Sequence, residues 1–165
     1  MSPCARTASS TLRSLFRIGI VWAGNPGHAE DRRRSVPFEH FLDLLDIPKI
    51  ALLSLQKGPR ARDLEASGVS ALFSNLDKRL TSLADTAAVI EQLDLVITCD
   101  TSIAHLAGAM GKPVWVLLAF SADWRWLTDR PDPPWYPSAC LFRQPRPGDW
   151  TSAMKDVVAA LKEVR

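Results

Sequence analysis

The chain has 165 residues, of which 47% are hydrophobic and 23% charged, and carries a formal net charge of +2. That describes one ordinary globular domain with length enough to bury a core, and it excludes disordered and fibrous classes. So small a net charge also excludes the broad basic field that draws in nucleic acid or an anionic membrane, and no apolar stretch reaches the roughly 18 residues that a membrane span needs.

Residues 1–16 are basic, rich in Ser and Thr, and free of acidic residues. They read as a disordered lead-in or linker, with a transit peptide as the other reading. The domain proper is expected over 17–165. Its first strand is 17–22, RIGIVW, short and β-branched, and it stops at the loop Ala23-Gly24-Asn25-Pro26-Gly27. A helix over 38–45 follows, with Phe38, Phe41, Leu42 and Leu45 on one face and Pro37 at its start. The stretch Glu30-Asp31-Arg32-Arg33-Arg34-Ser35 between them reads as a solvated loop or, folded over the strand ends, as a clamp in which one of the arginines holds a diphosphate.

A second strand is expected over 49–55, then a short helix opened by Gly58-Pro59 and running to about Ala66, then a weak strand over 69–73. The helix expected over 82–93 carries a capping signature, because Ser82 is followed three residues later by Asp85. Leu83, Ala87 and Ile90 are its expected inner face. The run 95–99, LVITC, is the next strand and leads into a helix that ends at Met110, with Gly111 to stop it and Pro113 to prevent its continuation. Another strand spans 114–118; the Pro-rich stretch 119–150 is irregular, with one strand at 139–142 and four of the six tryptophans. An amphipathic helix over 151–164 closes the chain.

Strands and helices alternate, and the strands are apolar throughout rather than at every second residue, so both faces must be covered. The fold class is therefore α/β: a single Rossmann-like domain whose parallel sheet has helices on both faces. The cysteines Cys4, Cys99 and Cys140 are odd in number and widely spaced, which gives neither a disulfide framework nor a metal motif. Cys99 reads as a buried thiol, and a cytoplasmic location fits best.

In an open parallel sheet, ligands bind beyond the carboxyl ends of the strands. Two such ends carry unusual residues: Ala23 to His28, and Asp100-Thr101-Ser102-Ile103-Ala104-His105. At the second, Thr101 or Ser102 caps a helix whose free N–H groups and dipole make an anion site, with hydroxyl donors from both and an imidazole from His105 one turn further on. Ala104, Ala107, Gly108 and Ala109 let that helix approach the sheet closely. The plainer reading, equally open here, makes Asp100 and Thr101 caps and His105 a packed residue. No GxGxxG and no glycine-lysine phosphate loop occurs, which argues against a nicotinamide domain and a P-loop NTPase.

The run CDTSIAHLAGAMGKPVWVLL resembles the D-T-x-x-x-H-L-x-x-A-L-x-x-P signature of heptosyltransferase-like glycosyltransferases, family 9. It is more similar still to the glycosyltransferase-like domain that follows tetratricopeptide repeats in many bacterial proteins. GIVWAGNPGHAEDRRRS, LLSLQKGP, DWRW, PWYPSACLFRQ and GDW match in the same order. The resemblance implies the C-terminal, donor-binding half of a GT-B architecture, with a nucleotide-diphosphate sugar as donor, no metal and no cofactor. It implies that Asp100, Thr101, Ser102 and His105 contact the diphosphate and sugar, that Gly24 and Asn25 form a loop over the phosphates, and that Arg34 places a positive charge on the diphosphate. Gln56 and Lys57 fall where the nucleoside is held, and Thr81 and Ser82 beside its base.

Only the donor half is recognisable, so an acceptor domain or repeat protein is the expected partner. Trp124, Trp126, Trp135 and Tyr136 have two readings, as a stacking surface for sugar or base and as packing under the last helix or a further domain. Exposed apolar surface of that kind would favour self-association. A degenerate module kept for protein contact and a nucleotide-sugar epimerase-like enzyme are the alternatives; the second needs an acid–base pair, and the histidines are His28, His40 and His105. His40 is expected near the surface of the 38–45 helix.

Overall fold

The apolar runs lie side by side and point the same way. The computed structural model of the protein describes residues 15–127, 133 and 135–164. In it β1 (Phe16–Val21), β2 (Ile50–Ser54), β3 (Phe73–Asn75), β4 (Leu95–Cys99), β5 (Val114–Leu118) and β6 (Ala139–Arg143) form one sheet in the order β3-β2-β1-β4-β5-β6. Every pairing is parallel. Parallel neighbours cannot be joined by tight hairpins, so the connections cross over the sheet and cover its faces. They hold α1 (Asp31–Arg34), α2 (Arg62–Ala66), α3 (Leu83–Glu91), α4 (Ser102–Ala109) and, after the last strand, α5 (Trp150–Val164). Tighter 3-10 turns occupy Phe38–Asp46, Pro59–Ala61, Ser70–Leu72 and Trp124–Trp126. This is the α/β, Rossmann-like domain expected from the alternating pattern.

Alternate residues of each strand enter opposite cores. Along β4, Leu95, Ile97 and Cys99 join one core while Val96 joins the other; along β5, Trp115 and Leu117 oppose Val114, Val116 and Leu118. The first core takes Phe38, Phe41 and Leu44 from the long 3-10 turn and Met154, Val157 and Leu161 from α5. The second takes Ile90 from α3 and Ala104 and Ala107 from α4. Trp22, fully buried, sets its ring 4.7 Å from that of Phe38 at a 58° tilt and donates its indole N–H to Asp63 Oδ2 at 3.1 Å. On the other face of β1, Gly19 has no room for a side chain: a Cβ there would stand 2.5 Å from Leu93 Cδ1 and 2.9 Å from Leu55 Cδ1. Gly111 ends α4 in the left-handed conformation, φ 68°, that an L side chain resists.

Several local expectations are corrected. The segment 38–45 is helical but wound as a 3-10 turn, with Pro37 just outside it and His40 half-buried. The weak strand expected over 69–73 is a 3-10 turn that exposes Leu72, and β3 begins only at Phe73. In α3 the buried positions are Thr86 and Ile90, while Leu83 is exposed, because the capping box fixes the helix start and so the face it turns inward. The basic stretch after β1 folds into α1 rather than a solvated loop. Cys99 is free and buried, and burial pushes its thiol up to about 12. Cys140 is disulfide-bonded, which the spacing of the cysteines did not foretell. Among the described residues no helix is long and apolar enough to cross a membrane.

Candidate functional site

The strand order reverses between β1 and β4, and at such a switch point the connections leave in opposite directions and open a crevice beyond the strand ends. A cavity of about 410 Å³ opens there. Its walls come from the segment after β1 (Ala23, Gly24, Asn25, Pro26), the segment after β2 (Leu55, Gln56, Lys57) and the start of α4 (Thr101, Ser102, Ile103), with Arg34 reaching in from α1. Seven expected site residues thus meet in one place, although up to 78 positions separate them in sequence, from Gly24 to Ser102.

The α4 terminus is open. Thr101 is its N-cap: its hydroxyl accepts from the Ile103 amide at 3.3 Å and lies 3.1 Å from the Thr98 hydroxyl. The amides of Thr101 and Ser102 have no acceptor among the described residues. Two orphan donors and the positive end of the helix dipole therefore stand at the cavity wall.

Arg34 supplies the positive charge. Its Nε donates to Asp31 Oδ1 at 3.4 Å, and Asp31 is buried. A guanidinium carries five N–H donors, so one carboxylate leaves most of them for another anion. Gly24 permits this arrangement: a Cβ there would fall 2.4 Å from Asp31 Oδ1 and 2.6 Å from Arg34 Nη2. The Gly24 amide is held by the buried Ser35 hydroxyl at 3.2 Å. Asp31 and Ser35 are functional supports that sequence reading missed. Their signal was present as an acid three residues before an arginine, the spacing of one helical turn.

Gln56 lines the cavity but spends its amide on the protein. Its Oε1 accepts from the Trp22 and Ala23 amides at 3.1 and 2.9 Å, and its Nε2 donates to the carbonyls of Ala23 and Lys57 at 3.0 and 3.1 Å. It ties the β1 exit to the β2 exit. Lys57 is exposed and pairs with Asp77 through its carbonyl and carboxylate. Thr81 and Ser82 lie away from this cavity. Both bond to Asp85 in the α3 capping box, and those bonds, the Thr81 hydroxyl first, hold the Asp85 carboxyl below its ordinary value of 3.8.

Asp100 and His105 lie on the other side of Arg34. Asp100 and Arg34 share a second cavity of about 280 Å³ with His28, Arg33, Asp123 and Arg125. His105 faces a third, of about 480 Å³, with Trp124, Arg125, Trp126, Trp135 and Tyr136. Its Nε2 stands 4.0 Å from Asp100 Oδ1 and its Nδ1 3.1 Å from the Tyr136 hydroxyl. The ring stacks on Trp126 at 5.2 Å, inclined by 20°. Of the aromatic group, Trp126 is buried in the core under α3 and α4 rather than under α5, while Trp124 and Trp135 are 74% and 59% exposed. Arg34 links the first two cavities and Arg125 the last two, so the three follow one another past the strand ends.

A parallel sheet with an open helix end at its switch point defines a Rossmann-like domain. The model of glycosyltransferase family 9 (heptosyltransferase) matches residues 60–148, more than half of the sequence, and the chain belongs to that family. It is 30% identical over 151 residues to Protein FlbA of Caulobacter vibrioides, an alignment covering 89% of this chain and 25% of that protein. Its fold is that of E. coli heptosyltransferase WaaC with ADP, at a TM-score of 0.67 and 18% identity over 94% of this chain and 46% of that one. E. coli ADP-heptose lps heptosyltransferase II is similar at a TM-score of 0.63 and 19% identity, over 98% of this chain and 49% of that one. The chain therefore spans about a quarter of FlbA and about half of each heptosyltransferase.

Proposed function

We propose that this chain is the donor-binding half of a glycosyltransferase, that its donor is a nucleotide-diphosphate sugar, and that the acceptor is bound by a further domain or chain. One arrangement supports the reading above all: unpartnered amides at Thr101 and Ser102 and the guanidinium of Arg34 border one open cavity at the topological switch point. A volume of about 410 Å³ lies within the range usual for small-molecule sites. Val21, Leu55, Pro59 and Ile103 give it an apolar wall for a nucleoside. The diphosphate rests between α4 and Arg34, and the sugar extends toward Asp100. The structural relatives were solved with ADP and with ADP-2-deoxy-2-fluoro heptose, which makes an adenosine diphosphate sugar the first donor to test.

In transfer, an acceptor hydroxyl oxygen bonds to the anomeric carbon while the bond from that carbon to the diphosphate breaks. The diphosphate leaves with the electron pair, and the hydroxyl proton passes to a base in the acceptor half. Two helix amides and an arginine aimed at the leaving oxygens stabilise the charge they gain. No metal is needed in this scheme, and binding unchanged by EDTA is its expected result. The reaction is proposed to be cytoplasmic. Against it stands the Cys140 disulfide, which a reducing cytoplasm disfavours, so thiol trapping in intact cells tests the compartment: a reduced Cys140 supports the cytoplasm, and an oxidised one points to an oxidising compartment.

Calorimetric titration with ADP tests the site. Saturable binding by the wild type, weakened about 10- to 100-fold in Arg34→Ala, is expected when a charge-assisted contact is lost. A folded sample that binds none of ADP, GDP, UDP and CDP overturns the proposal in favour of a module kept for protein contact.

A further inference from the structure

Tyr136 meets His105 from the segment before β6, 31 residues away in sequence. Its ring lies over α4 where Gly108 has no side chain: a Cβ on Gly108 would stand 2.5 Å from Tyr136 Cγ and 2.8 and 2.9 Å from its Cδ atoms. Backbone on one side and ring on the other leave neither much freedom to move. The phenol oxygen comes within 3.1 Å of His105 Nδ1, and the two rings meet edge to face at 5.8 Å. Trp126, buried, stacks on a face of the imidazole. His105 is thus held by Tyr136 and Trp126 while its Nε2 stays near Asp100.

We propose that Tyr136 is the positioning residue for His105. It fixes the imidazole in one rotamer and one tautomer, and Gly108 is the glycine that lets it do so. At 4.0 Å the Asp100 carboxylate is too far to accept a hydrogen bond, but its negative charge favours a neutral ring with the proton on Nε2, and Nδ1 then accepts from the Tyr136 hydroxyl. The ring then presents an N–H donor at the junction of the second and third cavities, where the donor site proposed above places the sugar. The role in ligand binding rests on that reading; the tautomer does not.

Long-range ¹H–¹⁵N spectra of the ligand-free chain, with His105 assigned through His105→Ala, read the tautomer directly. The wild type is expected to show His105 as the Nε2–H form alone. In Tyr136→Phe, which keeps the ring over Gly108 and removes the hydroxyl, a mixture of both tautomers is expected. Gly108→Ala, which displaces the ring, should produce the same mixture. ADP then serves as the probe for a double-mutant cycle. Tyr136→Phe is expected to weaken binding about three- to tenfold in the wild type and to change nothing on a His105→Ala background. A His105 spectrum identical in the wild type, Tyr136→Phe and Gly108→Ala overturns the proposal, as does a loss from Tyr136→Phe that persists without His105. If another of the four nucleotides binds in place of ADP, it serves as the probe; if the wild type binds none of ADP, GDP, UDP and CDP, the donor reading falls and the spectra alone decide the role of Tyr136.

Discussion

Replacing Gln56 by leucine separates a ligand contact from a structural tether. The side chain is 2% exposed and makes four hydrogen bonds to backbone groups of the β1 and β2 exits. Leucine has a similar volume and offers no acceptor, so the amides of Trp22 and Ala23 lose their partner in a buried place. A buried donor left unpaired costs about 1–3 kcal/mol, and the added apolar burial returns part of that, so a net loss of about 2–4 kcal/mol is expected. In a chain of this length, each kcal/mol lowers Tm by about 2–4 °C, so the melting point should fall by roughly 5–15 °C. Differential scanning calorimetry measures the fall, and an ADP titration well below the new Tm measures the site. A Tm within a degree of the wild type, together with lost ADP binding, would refute the tether and make Gln56 a nucleoside contact.

Other outcomes follow from the same geometry. Gly24→Ala drives a methyl group into Asp31 and Arg34, and calorimetry should show ADP binding weakened about 10- to 100-fold through the displaced guanidinium. Ser82→Ala removes the α3 cap and should cost about 1 kcal/mol in a urea melt while leaving ADP affinity unchanged; lost affinity would extend the site to that helix. The Asp85 carboxyl is held below 3.8 in the folded protein, so its contribution to stability is present above that pH and is lost as pH falls below it. Asp85→Asn should therefore flatten the acid limb of a stability–pH profile. The Cys99 thiol, pushed up to about 12, should resist iodoacetamide at pH 8 until the chain unfolds, as read by mass spectrometry of its peptide.

The sheet was legible because buried strands leave a plain trace: LVITC and VWVLL are strands over the residues expected. The α4 terminus was legible because a Thr-Ser pair after an apolar strand has a local meaning. Pairings across long stretches of sequence left no such trace. Gln56 looked like a ligand contact because nothing near it in sequence reveals the Trp22 and Ala23 amides it serves. The grip on His105 joins α4 to residues 126 and 136, beyond the reach of any periodicity. Ser82 was rightly placed at a helix start, and its hydroxyl, like that of Thr81, bonds with Asp85 there.

The central claim is that anionic oxygens settle at the amino end of α4. Backbone amide shifts recorded during an ADP titration test it most directly. The largest movements are expected at Gly24, Asn25, Thr101 and Ser102, with Arg34 side-chain signals following. A folded protein whose amides at these positions stay still at saturating ADP, or move only elsewhere, would contradict the account.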